Sequence, residues 1–475
     1  MTSYITGLSG NGQYFVDNNG HPKLMMVDNP WALIANGGEW TGGGAPGNYQ
    51  TEMDNYLTSR SAQGFTGLYL SALGCIDIGG SYENGNTWDN VPPFTGGGHP
   101  SAGLNNAYWD RVDYLISTAE TLGMTVFLNI AYTADATGNG TFDTGGALDS
   151  GALSPTDYAD YGTNLANRYA SSPNLVWVYG NDYYATNETQ FGEIRTAIVA
   201  VDTTHIMSVH VYPESTSRYD VEAGPIGTQG TNGSGFAYSN AQFNWVYTYN
   251  VTYFGLELAY EEAAYYSIPQ LPAIWGDGYF YNSGAALPTD QMTRQMAWWA
   301  VSTGAKGFNS GSNSIFPWAS GSPAAVTTGN WWTTEAAILR TTIEGLPEWQ
   351  NLFPDTTSAL VTSGRGTHAT GITTGSNYNG GTDDYVTASR TPDGKLAVIY
   401  CAKTFNITIN QSEMAPGYTV KWLDPTNGTI VAGTPGSTYN SAGLGNNSAG
   451  EPDWVLILAQ EGPLSSGPRL YGFRS

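Results

Sequence analysis

Two carboxylates stand where apolar runs end. In NLVWVYGNDYY (Asn174–Tyr184) the run Leu175–Val178 leads into Gly180, Asn181 and Asp182; in LPAIWGDGYFYN (Leu271–Asn282) Ile274 and Trp275 lead into Asp277. An apolar run bounded by glycine reads as a buried strand. An acid at the end of such a strand is where a parallel β-barrel carries its catalytic groups, at the C-terminal mouth. Two such acids are the minimum apparatus for glycoside hydrolysis: one protonated to serve the leaving oxygen, the other ionised to attack the anomeric carbon or to activate water. The plainer reading is that each Asp caps the turn or helix after its strand. A lone acid favours the cap; the pair favours chemistry.

Positioning such a pair requires a barrel, and the patterning supplies one. Apolar runs at Lys23–Asp28, Gly67–Ser71, Thr125–Ala131, Leu175–Gly180, Ile206–Val211, Ala241–Trp245, Ala273–Asp277 and Gly307–Ser310 predict eight strands. Helix-period segments lie between them, at Gln50–Ala62, Trp109–Thr121, Asp157–Tyr169, Gln190–Val201, Phe254–Tyr266, Thr289–Ser302 and Thr333–Glu344. Strands alternating with amphipathic helices imply a parallel sheet, and eight units over this length imply a (β/α)8 TIM barrel rather than an open sheet. Tyr14–Asp17 followed by Asn18-Asn19-Gly20 reads as an entry hairpin. Near Pro354 the period changes. Short runs at Ala359–Thr362, Tyr385–Ser389, Leu396–Cys401, Phe405–Ile409, Thr419–Leu423 and Trp454–Ala459, divided by turns such as Pro392-Asp393-Gly394, predict a small antiparallel β-sandwich. The expected domains are residues 1–353 and 354–475, sharing an interface because no long linker divides them.

Composition narrows the partners. The 475 residues include 40 acidic and only 16 basic side chains, a net charge of −24, which disfavours nucleic acid and anionic membranes. No stretch approaches the ~18 apolar residues of a membrane span, and MTSYITGLSGNGQYF has neither the basic start nor the apolar core of a signal peptide. Charged residues are 12% of the chain while Gly (61), Tyr (32) and Trp (15) abound, a surface of amides, hydroxyls and aromatic faces suited to sugars. Cys75 and Cys401 are too far apart to suggest a disulfide framework, and the five histidines have no metal-site spacing. Asp135, Asp143 and Asp149 lie in a glycine-rich loop whose spacing does not fit an EF-hand. No metal and no cofactor is expected; the expected partner is a polysaccharide or oligosaccharide.

Further residues at the expected strand ends are candidates for lining a sugar site. Asp28 and Asn29 follow the first strand, Tyr69 lies on the second, Asn129 and Tyr132 on the third. Asn181 precedes the first acid, His210 and Tyr212 close the fifth strand, and Gln242 and Asn309 belong to the sixth and eighth. Trp31, Trp177, Tyr279 and Trp318 can stack on sugar faces. For each the alternative is core packing or loop support, although a polar group ending a barrel strand must find some partner.

These residues resemble a known family. VDNPWALI (Val27–Ile34), YLTSRSAQGF (Tyr56–Phe65), WVYGNDYY (Trp177–Tyr184) and the segment Arg294–Trp318 are similar to four blocks of the apiosidase-like glycoside hydrolases, in the same order. WLDPTNGT (Trp422–Thr429) resembles a β-domain, named for collagen binding, that often follows them. The resemblance implies catalytic carboxylates after the fourth and seventh strands. They fall on Asp182, cast as acid/base, and Asp277, cast as nucleophile or base. The family typically has Glu at the second position, and Asn282 stands where another Glu often follows. Asp is one methylene shorter, so its carboxylate retreats by roughly 1 Å, a displacement able to cost ~10²-fold in rate. The resemblance implies hydrolysis of a plant or bacterial envelope polysaccharide, with furanosidic sugars such as apiose or arabinose favoured, outside the cell. The alternative is a weakly catalytic or non-catalytic glycan-binding protein, such as a phage tail component in the virion, whose partners would be tail subunits or further copies of itself.

Overall fold

The structure is a computed structural model describing residues 2–39, 48–74, 85–96, 99–131, 147–148, 153–183, 188–211, 242–247, 271–277, 289–309, 311–329, 331–366 and 385–460, by backbone alone at 181–183, 188, 211, 246–247 and 277. Eight short runs form its central sheet: β1 (Met25–Asp28), β2 (Gly67–Ser71), β3 (Thr125–Asn129), β4 (Leu175–Tyr183), β5 (Met207–Val211), β6 (Asn244–Tyr247), β7 (Ala273–Asp277) and β8 (Gly307–Asn309). Every ladder among them is parallel, neighbours follow chain order, and β1 pairs with β8. The remaining edges, β5 and β6, are joined where Gln242 N–H donates to Met207 O (2.8 Å) and Ser208 Oγ to Phe243 O (2.6 Å). This is a (β/α)8 barrel.

Around it lie α1 (Tyr49–Ala62), α2 (Asn106–Thr121), α3 (Pro155–Tyr169), α4 (Glu188–Val201), α5 (Asp290–Ser302) and α6 (Ala336–Glu344). Their starts are encoded locally. Asn48 and Asn105 accept backbone N–H groups of the first turns of α1 and α2. At α3, Pro155 takes the first position and the Asp157 carboxylate accepts from the Ser154 backbone and hydroxyl, both at 2.8 Å, which holds its carboxyl well below the usual range. Each such cap contributes about 1 kcal/mol. The predicted helix Phe254–Tyr266 lies outside the described residues, as does Cys75. The sixth strand begins three residues later than its polar sequence suggests, and α6 is preceded by a π-helical turn, Trp331–Glu335, that buries both tryptophans.

Inside the barrel the strands alternate. Phe127 on β3, Phe243 beside β6, Trp245 on β6 and Tyr69 on β2 form an aromatic column, with ring centroids 6.0 Å (Phe127–Phe243), 5.5 Å (Phe127–Trp245) and 4.6 Å (Tyr69–Trp245) apart. Phe15, from an N-terminal three-stranded antiparallel sheet (Ile5–Leu8, Phe15–Asp17, Pro22–Lys23), meets Phe243 at 5.4 Å and stops the lower end. Such wholly buried rings contribute about 1.5–3 kcal/mol each.

The C-terminal part contains two antiparallel sheets. Its strands are β9 (Phe353–Pro354), β10 (Val361–Ser363), β11 (Val386–Arg390), β12 (Leu396–Cys401), β13 (Asn406–Ile409), β14 (Tyr418–Leu423), β15 (Ile430–Gly433), β16 (Thr438–Asn440) and β17 (Trp454–Gln460). They pair in the orders β9-β11-β12-β17-β14-β15 and β10-β13-β16. Strand β12 reads LAVIYC without polar residues because both its faces are covered. Leu396, Val398 and Tyr400 join the barrel's core, while Ala397, Ile399 and Cys401 face the small sheet.

Helix α5 is the shared element; every residue from Met292 to Ser302 is buried. Trp298 stacks on Tyr400 (6.1 Å, 15°) and the Trp299 indole donates to Tyr385 O at 3.0 Å. Arg294 reaches Asp453 with two nitrogens (2.9 and 2.8 Å), Glu335 at 2.8 Å, and also Glu451. Three carboxylates thus surround one guanidinium. Burial pushes the Glu335 carboxyl up to about 7, against the pull of Arg294.

Two outcomes follow. Arg294→Ala strands buried carboxylates and should cost about 3–5 kcal/mol, read by urea unfolding as an earlier single transition of both domains. The folded pKa of Glu335 lies above its ordinary 4.5, so its contribution is full below pH 4.5 and is lost as pH rises through about 7. Glu335→Gln should therefore gain on the wild type across that window, by about 2 kcal/mol at pH 8; equal unfolding free energies at pH 8 would refute the assignment.

Candidate active site

Strand alternation decides which residues reach the mouth. Along β1, Asp28 turns outward to α1: its Oδ2 accepts from Arg60 Nε (2.5 Å) and Tyr56 OH (2.6 Å), and its Oδ1 from Asn29 N–H (2.9 Å). Arg60 in turn lies over Trp332, 4.7 Å from the ring centroid, and over Phe65 at 4.9 Å. The expectation of Asp28 as a sugar ligand is corrected, because its charge is consumed within the wall. The next residue, Asn29, is 1% exposed, and neither atom of its amide takes a partner among the described residues.

Three other candidates are brought together. Asn129 Nδ2 donates to Tyr69 OH at 3.0 Å, and Tyr69 OH lies 2.8 Å from His210 Nδ1. Burial pushes the His210 imidazole down to about 3, favouring its neutral form. Asn129 also donates to Gly180 O at 3.1 Å, and Asn309 to Gly276 O at 2.5 Å. Among the described residues the floor of the mouth is therefore polar, aromatic and uncharged.

The structure takes other candidates elsewhere. Trp177 points out of the barrel, its indole donating to Asp202 at 2.8 Å and its ring against Tyr169 of α3. Gln242 precedes β6 at the lower end, where Oε1 accepts Met207 N–H at 3.1 Å. Trp31 is buried between Tyr69 and Phe316, and Trp318 donates to Glu52 at 3.1 Å with its edge against Tyr56. Each of these three rings is covered by protein, as core packing requires. Asp182 and Asn181 lie on the last residues of β4 and Asp277 is the last of β7, so the backbone carries both acids at the C-terminal mouth; their side chains lie outside the described residues. Tyr132, Tyr212 and Tyr279 lie outside them altogether, as do Asp135, Asp143 and Asp149. Among the described residues no group of three or more His, Cys, Asp or Glu could hold a metal ion.

Trp245 is the residue missed from sequence. It forms the floor beneath Tyr69 and touches the backbone of Gly276. Its signal was the alternation Phe243-Asn244-Trp245, hidden by the polar residues around it. Arg60 and Tyr56, the partners of Asp28, were visible only as part of a helical segment.

A parallel barrel with acids on the ends of its fourth and seventh strands is built as a glycoside-hydrolase barrel is built. A family model described as "Apiosidase-like, catalytic domain" matches residues 9–351, and the chain belongs to that family. A second, "Putative collagen-binding domain of a collagenase", matches residues 373–459. Among solved structures, one titled "Glycoside hydrolase" shares 17% identity at a TM-score of 0.70, covering 96% of this chain and 97% of that one. A glycoside hydrolase family 5 protein from Bacteroides vulgatus gives 17% and 0.69, covering 97% and 95%. The similarity in structure thus extends over both domains. No curated protein matches the sequence significantly.

Tyr69→Phe removes the hydroxyl that joins Asn129 to His210, both wholly buried. It should cost about 1–3 kcal/mol, measured as a lowered midpoint in thermal unfolding; an unchanged midpoint would mean the network contributes nothing.

Proposed function

We propose that the protein hydrolyses glycosidic bonds in a neutral glycan of a plant or bacterial envelope, with Asp182 and Asp277 as its two carboxylates. One observation carries this reading: both acids fall at the C-terminal ends of strands, β4 and β7, of one parallel barrel, around an uncharged floor of amides and aromatic rings. Asp182 serves as acid/base, protonating the departing oxygen; Asp277 attacks the anomeric carbon or activates water. A carboxylate separation of about 5–5.5 Å would give retention, and about 6.5–9.5 Å inversion. The buried amide of Asn29 offers a donor and an acceptor together, the complement of two neighbouring sugar hydroxyls. Furanosidic sugars are the favoured class: the matching family model is named for an apiosidase, and apiose reacts as a five-membered ring.

A second reading is favoured by Asp at position 277 in place of the family's usual Glu. In it the barrel binds glycan with weak catalysis or none, as a recognition protein on a phage tail. Both readings place the protein outside the cell or on a virion. The C-terminal domain serves in either as a buttress, in keeping with the burial of α5 on all sides.

Reducing-sugar release from arabinans, apiose-containing pectic fragments and bacterial cell-wall glycans separates the two. Wild type should release sugar from one of them, and Asp182→Asn and Asp277→Asn should each lose about 10²–10⁴-fold. A wild type that retains a glycan in pull-down but releases nothing would establish the recognition protein instead.

A further inference from the structure

The two acid-bearing strand ends are built alike. β4 runs into Gly180-Asn181-Asp182 and β7 into Gly276-Asp277. Both lose register at this point, β4 against β5 between Gly180 and Tyr183, β7 against β6 between Trp275 and Asp277. A register shift bends the strand and re-aims the side chain that follows. Each glycine is required, for separate reasons. Gly180 has φ +96°, the left-handed region, and a Cβ on Gly276 would overlap the Trp245 indole.

On the other side of each strand, the neighbour that keeps its register sends an asparagine across. Asn129, the last residue of β3, donates Nδ2 to Gly180 O at 3.1 Å; Asn309, the last of β8, donates Nδ2 to Gly276 O at 2.5 Å. Both asparagines are wholly buried. The same device therefore occurs twice: a shifted register on one flank, a glycine, and an amide from the other flank fixing the glycine carbonyl. The acid comes two residues later on β4 and one residue later on β7.

We infer that Asn129 and Asn309 are the positioning residues of the two carboxylates. A glycine peptide plane has no side chain to lock it, and at the end of a strand the ladder no longer does so. Holding its carbonyl from the side fixes the plane, and with it the direction in which the following acid leaves the backbone. The two amides together set the separation of the acids, on which the stereochemical course depends. Asparagine is the residue the task needs. Aspartate in its place would set an acceptor against an acceptor, and glutamine would push the glycine away. The catalytic meaning rests on the proposed glycosidase reading; the geometric claim does not.

The test joins crystallography to kinetics, on the full-length wild type and its Asn129→Ala and Asn309→Ala variants, with Asn→Ser at either position if the alanine variant does not fold. Crystal structures should show the distance between the Asp182 and Asp277 carboxylates altered by about 1 Å in each variant, a displacement sufficient to lower kcat about 10²-fold while KM stays within a few-fold. On aryl glycosides the two variants should differ. Misplacing the acid penalises poor leaving groups far more than activated ones, so the Asn129 variant should show that dependence and the Asn309 variant should not. Carboxylates that superpose on the wild type in both variants overturn the inference, as do losses that merely follow the unfolding midpoint. If the wild type cleaves no glycoside, the glycosidase reading fails, and the crystallographic distances alone decide the positioning claim.

Discussion

Each barrel strand has two faces and a period of two, and almost everything at this site follows from that constraint. Odd positions of β1, Met25 and Val27, share a face with Asn29, so Asn29 belongs to the interior and Asp28 to the wall. Gly67, Tyr69 and Ser71 share the inner face of β2; Phe127 and Asn129 share that of β3. The inner faces carry the aromatic column, and its uppermost groups, Tyr69, His210 and Asn129, close into hydrogen bonds instead of remaining open to water. An outward acid such as Asp28 must be matched by the helix layer, and Arg60 matches it within the wall. Among the described residues the floor is thus a product of sorting: the charge of Asp28 goes outward to a helix, and the amides and rings of Asn129, Tyr69 and Trp245 go inward.

Much of this was legible in the sequence. Strands that are apolar on both faces declared themselves to the residue: Gly67–Ser71, Ala273–Asp277 and Leu396–Cys401 are found where the patterning puts them. The (β/α)8 class followed from the alternation of such runs with helical ones. What failed to show was orientation. Trp177 reads as a residue able to stack on a sugar face, yet the register that puts Val176 and Val178 inside puts Trp177 against α3. Gln242 was displaced for another reason: the sixth strand is short and polar, so its start was read three residues early and its lower end mistaken for part of the site. Asp28 was placed correctly at a strand end, but its partner Arg60 lies on a helix, and pairing across layers has no local signal. Short edge strands such as Ile430–Gly433, exposed along most of their length, have little apolar pattern to read.

The two halves of the chain are held by one helix rather than by a surface of chance contacts. α5 turns one face to β8 and the other to the large C-terminal sheet, and that sheet is covered in turn by the small one. The result is layered: barrel, helix, sheet, sheet. Only within such a layering can Arg294 be wholly buried, since its charge is met from α5's own neighbour Glu335 and from Asp453 and Glu451 across the boundary. The desolvation of four charged groups is a cost that apolar packing around them must offset. The tryptophans of α5 supply that packing, Trp298 lying flat on Tyr400 and Trp299 set edge-on to it.

The stopper at the lower end of the barrel has a bearing on how the chain is made. The N-terminal sheet leaves the ribosome before the groups it packs on: Phe15 rests on Phe243, and Ile5 N–H on the Thr125 hydroxyl, both synthesised long afterwards. The earliest strand of the barrel, β1, waits longer still for β8. Nascent chains therefore carry an unseated hairpin and an unpaired strand edge until residues 243 and 307–309 have been made, the state in which aggregation and chaperone capture compete with folding. The polar, glycine-rich turns of that hairpin, Ser9–Gly12 and Asn18–Gly20, keep the waiting segment wettable until its seat exists.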